Sequence, residues 1–170
     1  MGFNVVMGGL TASSLDDEET CLAIINTCAV TQKAEQKGRR MIRLMLKKYP
    51  NSAIIVTGCY AQLSSESISK IDKRISVIGG QIKSRIKNVP AILLENLKKE
   101  WNPILFVDEI LQKIVLPPVE KKDTPENSFA LSTSSFVAHS RASLKIQDGC
   151  NCVCSYCTIN KARGRSVSIL

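Results

Sequence analysis

Aromatic residues make up only 5% of this 170-residue sequence, and it holds one tryptophan and one histidine, His139. A core so poor in rings must be aliphatic, and short runs rich in Ile, Val and Leu favour buried strands. No apolar run approaches the roughly 18–20 residues that span a bilayer. No Arg/Lys-led apolar segment opens the chain, so a signal peptide is not read here and a cytosolic location is expected. No internal repeat is found. His139 has no visible partner for acid–base work and is read as structural. Acidic residues are also outnumbered, 15 against 23 basic, for a net charge of +8. That balance suits a nucleic-acid or anionic-surface partner and equally suits a plain basic domain.

What the sequence has in excess is cysteine: seven residues, four of them between positions 150 and 157. In a reducing compartment structural disulfides are disfavoured, so metal or redox roles gain weight.

The first hundred residues alternate short apolar runs with longer polar stretches. Phe3–Val6, Cys21–Asn26, Ala53–Thr57 and Ile75–Ile78 read as strands. The central runs are apolar throughout, the pattern of parallel strands covered on both faces. Gln32–Tyr49 reads as a helix, with Met41, Ile42, Met45 and Tyr49 at helical spacing, Thr31 as N-cap and Pro50 as the stop. Ser64 is read as the cap of a helix over Ser65–Ile71. A third helix is expected over Ile82–Lys99, interrupted at Pro90. This order implies an α/β layered domain over residues 1–115. Pro117, Pro118, Lys121, Lys122, Asp123, Pro125 and a Ser/Thr cluster mark a polar linker over 116–135. A second segment, 136–170, opens with a strand over Arg141–Gln147 that runs into the cysteine cluster.

Cys150, Cys154 and Cys157 fall in CxxxCxxC spacing. Three thiolates on one tight loop can hold three irons of a 4Fe–4S cube, leaving the fourth iron open. Gly149 lets the backbone turn at the strand end. A four-thiolate zinc site using Cys152 as well is the competing reading, though the usual second CxxC knuckle is missing. Upstream, Cys28 and Cys59 each follow an apolar strand. In a parallel sheet both strands end at one edge, where open α/β sheets place their sites. Both could instead be small buried hydrophobes. The basic residues Lys33, Lys37, Arg39, Arg40, Arg43, Lys47 and Lys48 of the first helix make either a solvated face or a phosphate contact. Trp101 is expected to pack at a domain edge.

The run from QDGC through CxxxCxxC to Arg163-Gly164-Arg165 resembles the radical S-adenosylmethionine superfamily. Together with Asn26-Thr27-Cys28-Ala29-Val30-Thr31 and Thr57-Gly58-Cys59-Tyr60-Ala61-Gln62, it resembles the methylthiotransferases, covering about residues 1–100 and 136–170. HSRASLKIQDGC and ARGRSVS look most like the threonylcarbamoyladenosine branch. The resemblance implies that Cys150, Cys154 and Cys157 carry a 4Fe–4S cluster whose open iron binds S-adenosylmethionine. Cleavage there yields a 5′-deoxyadenosyl radical. It also implies that Cys28 and Cys59 are two of three ligands of an auxiliary 4Fe–4S cluster. The implied substrate is tRNA at a modified adenosine beside the anticodon, with a flavodoxin or ferredoxin as electron donor.

Family members begin with a further strand ending in Gly-Cys, and Gly2–Val6 matches their second strand. The resemblance therefore implies a flavodoxin-like parallel sheet with its first strand and first cluster cysteine missing. After it come the linker and only the first strand and cluster loop of a radical S-adenosylmethionine barrel. Cys21 is a poor replacement, being seven residues before Cys28 along a strand, about 23 Å away. On this reading the chain is inactive alone. Three functions are carried forward: a tRNA methylthiotransferase fragment, an inert iron–sulfur or zinc-binding remnant, and a zinc-dependent nucleic-acid-binding protein. The isopentenyladenosine and ribosomal-protein branches stay open.

Overall fold

A computed structural model of the chain describes Val5, residues 20–118 and residues 146–168. The expected strand Phe3–Val6 (Val5 apart), linker residues 119–135, His139 and the strand start at 141–145 lie outside the described residues.

Three parallel strands form the centre: β1 (Leu22–Thr27), β2 (Ala53–Gly58) and β3 (Ile75–Gly79), in the order β1-β2-β3. The registers Leu22↔Ala53 and Ile54↔Ile75 run without a break to Thr27↔Gly58 and Gly58↔Gly79. Every residue of β2 is buried. Ile54 and Val56 pack into one apolar cluster with Ile42, Tyr60 and Ile68, while Ala53 and Ile55 pack into another with Leu93, Phe106 and Ile110. The uninterrupted apolar run thus follows from a strand covered on both faces.

The first cluster is roofed by α1 (Gln32–Lys48), α2 (Cys59–Leu63) and α3 (Ser65–Ser69). Thr31 caps α1, its Oγ1 accepting from Ala34 N at 3.1 Å. Ser64 does not cap α3 with its side chain. It closes α2 instead, its N–H donating to Tyr60 O, so one residue ends one helix and begins the next. Arg74 ties the start of β3 to the end of α1, donating to Leu46 O, Tyr49 O and Pro50 O at 3.3, 3.1 and 2.6 Å.

The second face is covered by α4 (Val89–Leu97) and α5 (Pro103–Ile110), which runs on as a π turn over Leu111–Val115. Pro90 does not interrupt a helix. It sits in the first turn of α4, where a missing N–H costs nothing, and residues Gly80–Asn88 before it form 3-10 turns. The sequence reading passed over α5, whose Asn102 cap accepts from Ile104 N and Leu105 N. Trp101 is half-buried against this face, donating to Asn51 O at 2.8 Å with its ring 5.5 Å from Phe106.

Beyond residue 145, β4 (Gln147–Asp148) and β5 (Val167–Ser168) pair antiparallel, enclosing the cysteine loop and α6 (Ile159–Arg163).

Candidate functional site

Cys28 and Cys59 are each the first residue beyond the last paired position of β1 and β2, Thr27↔Gly58. They stand level at the carboxyl edge of strands spaced about 4.8 Å apart. Cys28 is exposed and Cys59 half-buried. Gly58 makes this possible. Its φ of 98° belongs to glycine, and a Cβ there would stand 2.1 Å from Thr27 O. The chain therefore turns directly from β2 into α2 with Cys59 at its first position. Gly58 offers α2 no side-chain cap, and Thr27 supplies one from the neighbouring strand. Its buried hydroxyl donates to Thr57 O at 2.6 Å and accepts from Ala61 N at 3.2 Å. Cys21 sits at the opposite end of β1, packed against the core, where burial pushes its thiol up and leaves it protonated.

The second set lies on the loop between β4 and α6. Cys157 N donates to Cys154 O at 3.1 Å, a tight turn. Cys150 is fixed on both sides, its N donating to Gly164 O at 3.1 Å and its carbonyl accepting from Asn160 Nδ2 at 2.6 Å. Gly149, with φ of 74°, admits Arg165 O to within 2.1 Å of where a Cβ would be. All four loop thiols are free, Cys152 and Cys154 exposed and Cys150 and Cys157 half-buried. The Cys150 sulfur pushes the Cys152 thiol up by charge repulsion and by a hydrogen bond, with Cys154 adding to the effect. Such crowding of thiols is relieved when a thiophilic cation neutralises them, so the donor chemistry fits a cluster or a soft metal. Among the described residues, no three His, Cys, Asp or Glu side chains are drawn into a cage. The donors are present and accessible without being closed around a centre.

The two sets meet through α6. It packs on α2, with Ala162 buried. Thr158 Oγ1 donates to Ala29 O, next to Cys28, at 3.5 Å. The Arg163 guanidinium lies beside Cys59 and pairs with Asp148, 3.3 Å away, and these two neighbours raise its own pKa. Arg163 thus links the edge of the sheet to the strand that leads into the cysteine loop. Sequence reasoning named Arg163 without finding this role, and it missed Thr27 and Gly58 as the residues that aim Cys59. The glycine before Cys59 was the available signal; the Thr27 and Arg163 contacts join segments too far apart in sequence to be seen there.

Fold and site together define an open parallel α/β domain with thiols at its carboxyl edge, joined to a compact cysteine-rich loop. Residues 5–80 match the family model described as "Uncharacterized protein family UPF0004". The threonylcarbamoyladenosine tRNA methylthiotransferase of Treponema pallidum is 33% identical over 99% of this chain and 42% of its own length. The protein of the same name from Bacillus subtilis is 36% identical over 88% of this chain and 30% of its own length. The tRNA-2-methylthio-N(6)-dimethylallyladenosine synthase of Salmonella paratyphi A is 28% identical over 89% and 29%. No solved structure matches the chain. The chain is thus similar to methylthiotransferases over nearly its whole length. It spans between 28% and 42% of the length of the curated relatives it matches.

Proposed function

We propose that this chain works as part of a tRNA methylthiotransferase that places a methylthio group on a modified adenosine beside the anticodon. Threonylcarbamoyladenosine is the favoured base, since relatives of that name reach 33–36% identity while the dimethylallyladenosine synthase stands at 28%. The observation that carries the reading is the docking of α6 on α2, which brings two cysteine sets from separate segments to one edge of the sheet. Cys150, Cys154 and Cys157 would hold the 4Fe–4S cluster that binds S-adenosylmethionine, and Cys28 and Cys59 would contribute to an auxiliary 4Fe–4S cluster. When bound, these groups supply the radical and the sulfur chemistry. The protein's own residues aim the donors. Gly58 and Thr27 set the direction of Cys59, the Cys154–Cys157 turn presents two thiols together, and Arg163 holds the loop against the sheet. The sheet corresponds to consecutive strands of a flavodoxin-like order. A flavodoxin or ferredoxin would deliver electrons, and the setting is the cytoplasm.

Nucleoside mass spectrometry of tRNA from cells with and without the gene tests the function. Loss of 2-methylthio-threonylcarbamoyladenosine with accumulation of the unthiolated base is expected. An unchanged nucleoside profile would contradict the reading.

A further inference from the structure

Helix α1 carries seven basic residues and one acidic residue, Glu35. At 100° per residue, Lys33, Lys37, Arg40, Arg43 and Lys47 fall within one stripe about 120° wide. The buried residues Gly38 and Ile42 lie on the opposite face. All five stripe cations are exposed. None has an ion-pair partner among the described residues. Two lysines elsewhere are paired: Lys70 with Glu66 at 2.6 Å, and Lys113 with Glu109 at 2.5 Å and Glu95 at 3.6 Å. Arg39, just off the stripe, lies over the Tyr60 ring at 5.9 Å. Four successive neighbours in the stripe are like-charged pairs at i,i+3 or i,i+4, an arrangement that weakens a helix. Among the described residues no ion pair or side-chain hydrogen bond of these five cations offsets that cost, so the charge points outward to a polyanion.

Position narrows the partner. The stripe runs about 21 Å from Lys33 to Lys47. Its first cation is five residues after Cys28, because α1 starts at the carboxyl edge of the sheet, where the thiols stand. A strand following the stripe is led to the cysteine edge. A planar membrane would meet the same charge but gains nothing from a narrow row that ends at a site. We propose that the exposed face of α1 is an RNA-binding surface that tracks the phosphate backbone and delivers the substrate strand to the Cys28–Cys59 edge. This rests on the tRNA reading above and adds the surface that holds the RNA.

The test is fluorescence anisotropy with the full chain and a labelled, unmodified anticodon stem–loop RNA, across about 50–200 mM salt. Lys37→Gln/Arg40→Gln/Lys47→Gln keeps good helix formers in α1. Lys73→Gln/Lys98→Gln/Lys99→Gln removes the same charge from exposed positions elsewhere. Losing three phosphate contacts should weaken binding on the order of 100-fold at about 0.1 M salt and shrink the log–log salt slope by about 2. The control should stay within a few-fold of the parent. Equal losses in both variants would reduce the effect to net charge and overturn the surface. An α1 variant that binds as tightly as the parent would overturn the surface and leave the tRNA reading standing. Binding to phosphatidylserine vesicles with none to RNA, or no binding to RNA by the parent, would overturn the surface as well.

Discussion

Thr27, Gly58 and Arg74 show how single residues fix the site and the frame around it. The Thr27 hydroxyl satisfies Ala61 N at the start of α2, so Thr27→Val leaves a buried N–H without a partner. A loss of about 1–3 kcal/mol is expected in chemical denaturation; an unchanged midpoint would show that the bond is dispensable. Gly58→Ala puts a Cβ against Thr27 O and asks alanine for a φ of 98°. Destabilisation of at least about 2 kcal/mol should follow in the same assay. Of these two roles, only that of Gly58 leaves a signal in the sequence, the glycine directly before Cys59. In the sequence Thr27 stands out only as part of the Asn26–Thr31 motif, and the positive φ at Gly58 belongs to a turn whose partner lies 31 residues back at Thr27.

Two carboxylates set a pH dependence. Burial alone would raise the Asp72 carboxyl, but bonds from the Arg74 guanidinium and backbone hold it below the usual range. Glu109 is lowered by bonds from Lys113 and Asn96. A depressed folded pKa means the contribution is complete above the unfolded values, about 3.9 and 4.3, and is lost as pH falls through the folded ones. Melting temperature should therefore fall below about pH 4, and less steeply in Asp72→Asn/Glu109→Gln. A double variant that tracks the parent across that range would contradict the assignment.

At the scale of elements, β2 was legible because burial on both faces leaves an unbroken apolar run, as at Ile54–Val56, whereas β1 carries a similar run with Ile24 exposed and Thr27 alone buried. Helix α1 was legible through its Thr31 cap and Pro50. Helix α5 was missed although Asn102 followed by Pro103, with Phe106, Val107 and Ile110 at helical spacing, carries the usual start signal. Pro90 was taken for a break because its place in the first turn depends on where the preceding 3-10 turns end. The docking of α6 on α2 could not be read from sequence at all, since it joins residues about a hundred positions apart. It hangs on Arg163, Thr158 and the buried Ala162. Hydrogen exchange should be severalfold faster at Ala162 and Gly164 in Arg163→Ala than in the parent, with α1 unaffected. Equal exchange in both would mean that Arg163 does not hold the element.

At the scale of the molecule, a sheet edge and a cysteine loop have been brought together, with the thiols free and exposed or half-buried. The central claim is that the loop is a cluster loop. Iron, sulfide and zinc per chain after anaerobic reconstitution test it most directly, in the parent and in Cys154→Ala. About four irons per chain, matched by sulfide and lost in the variant, are expected if Cys150, Cys154 and Cys157 hold a 4Fe–4S cluster by themselves. About eight would mean that Cys28 and Cys59 complete a second cluster with another ligand. One zinc and no iron would contradict the account and leave a structural metal site in its place.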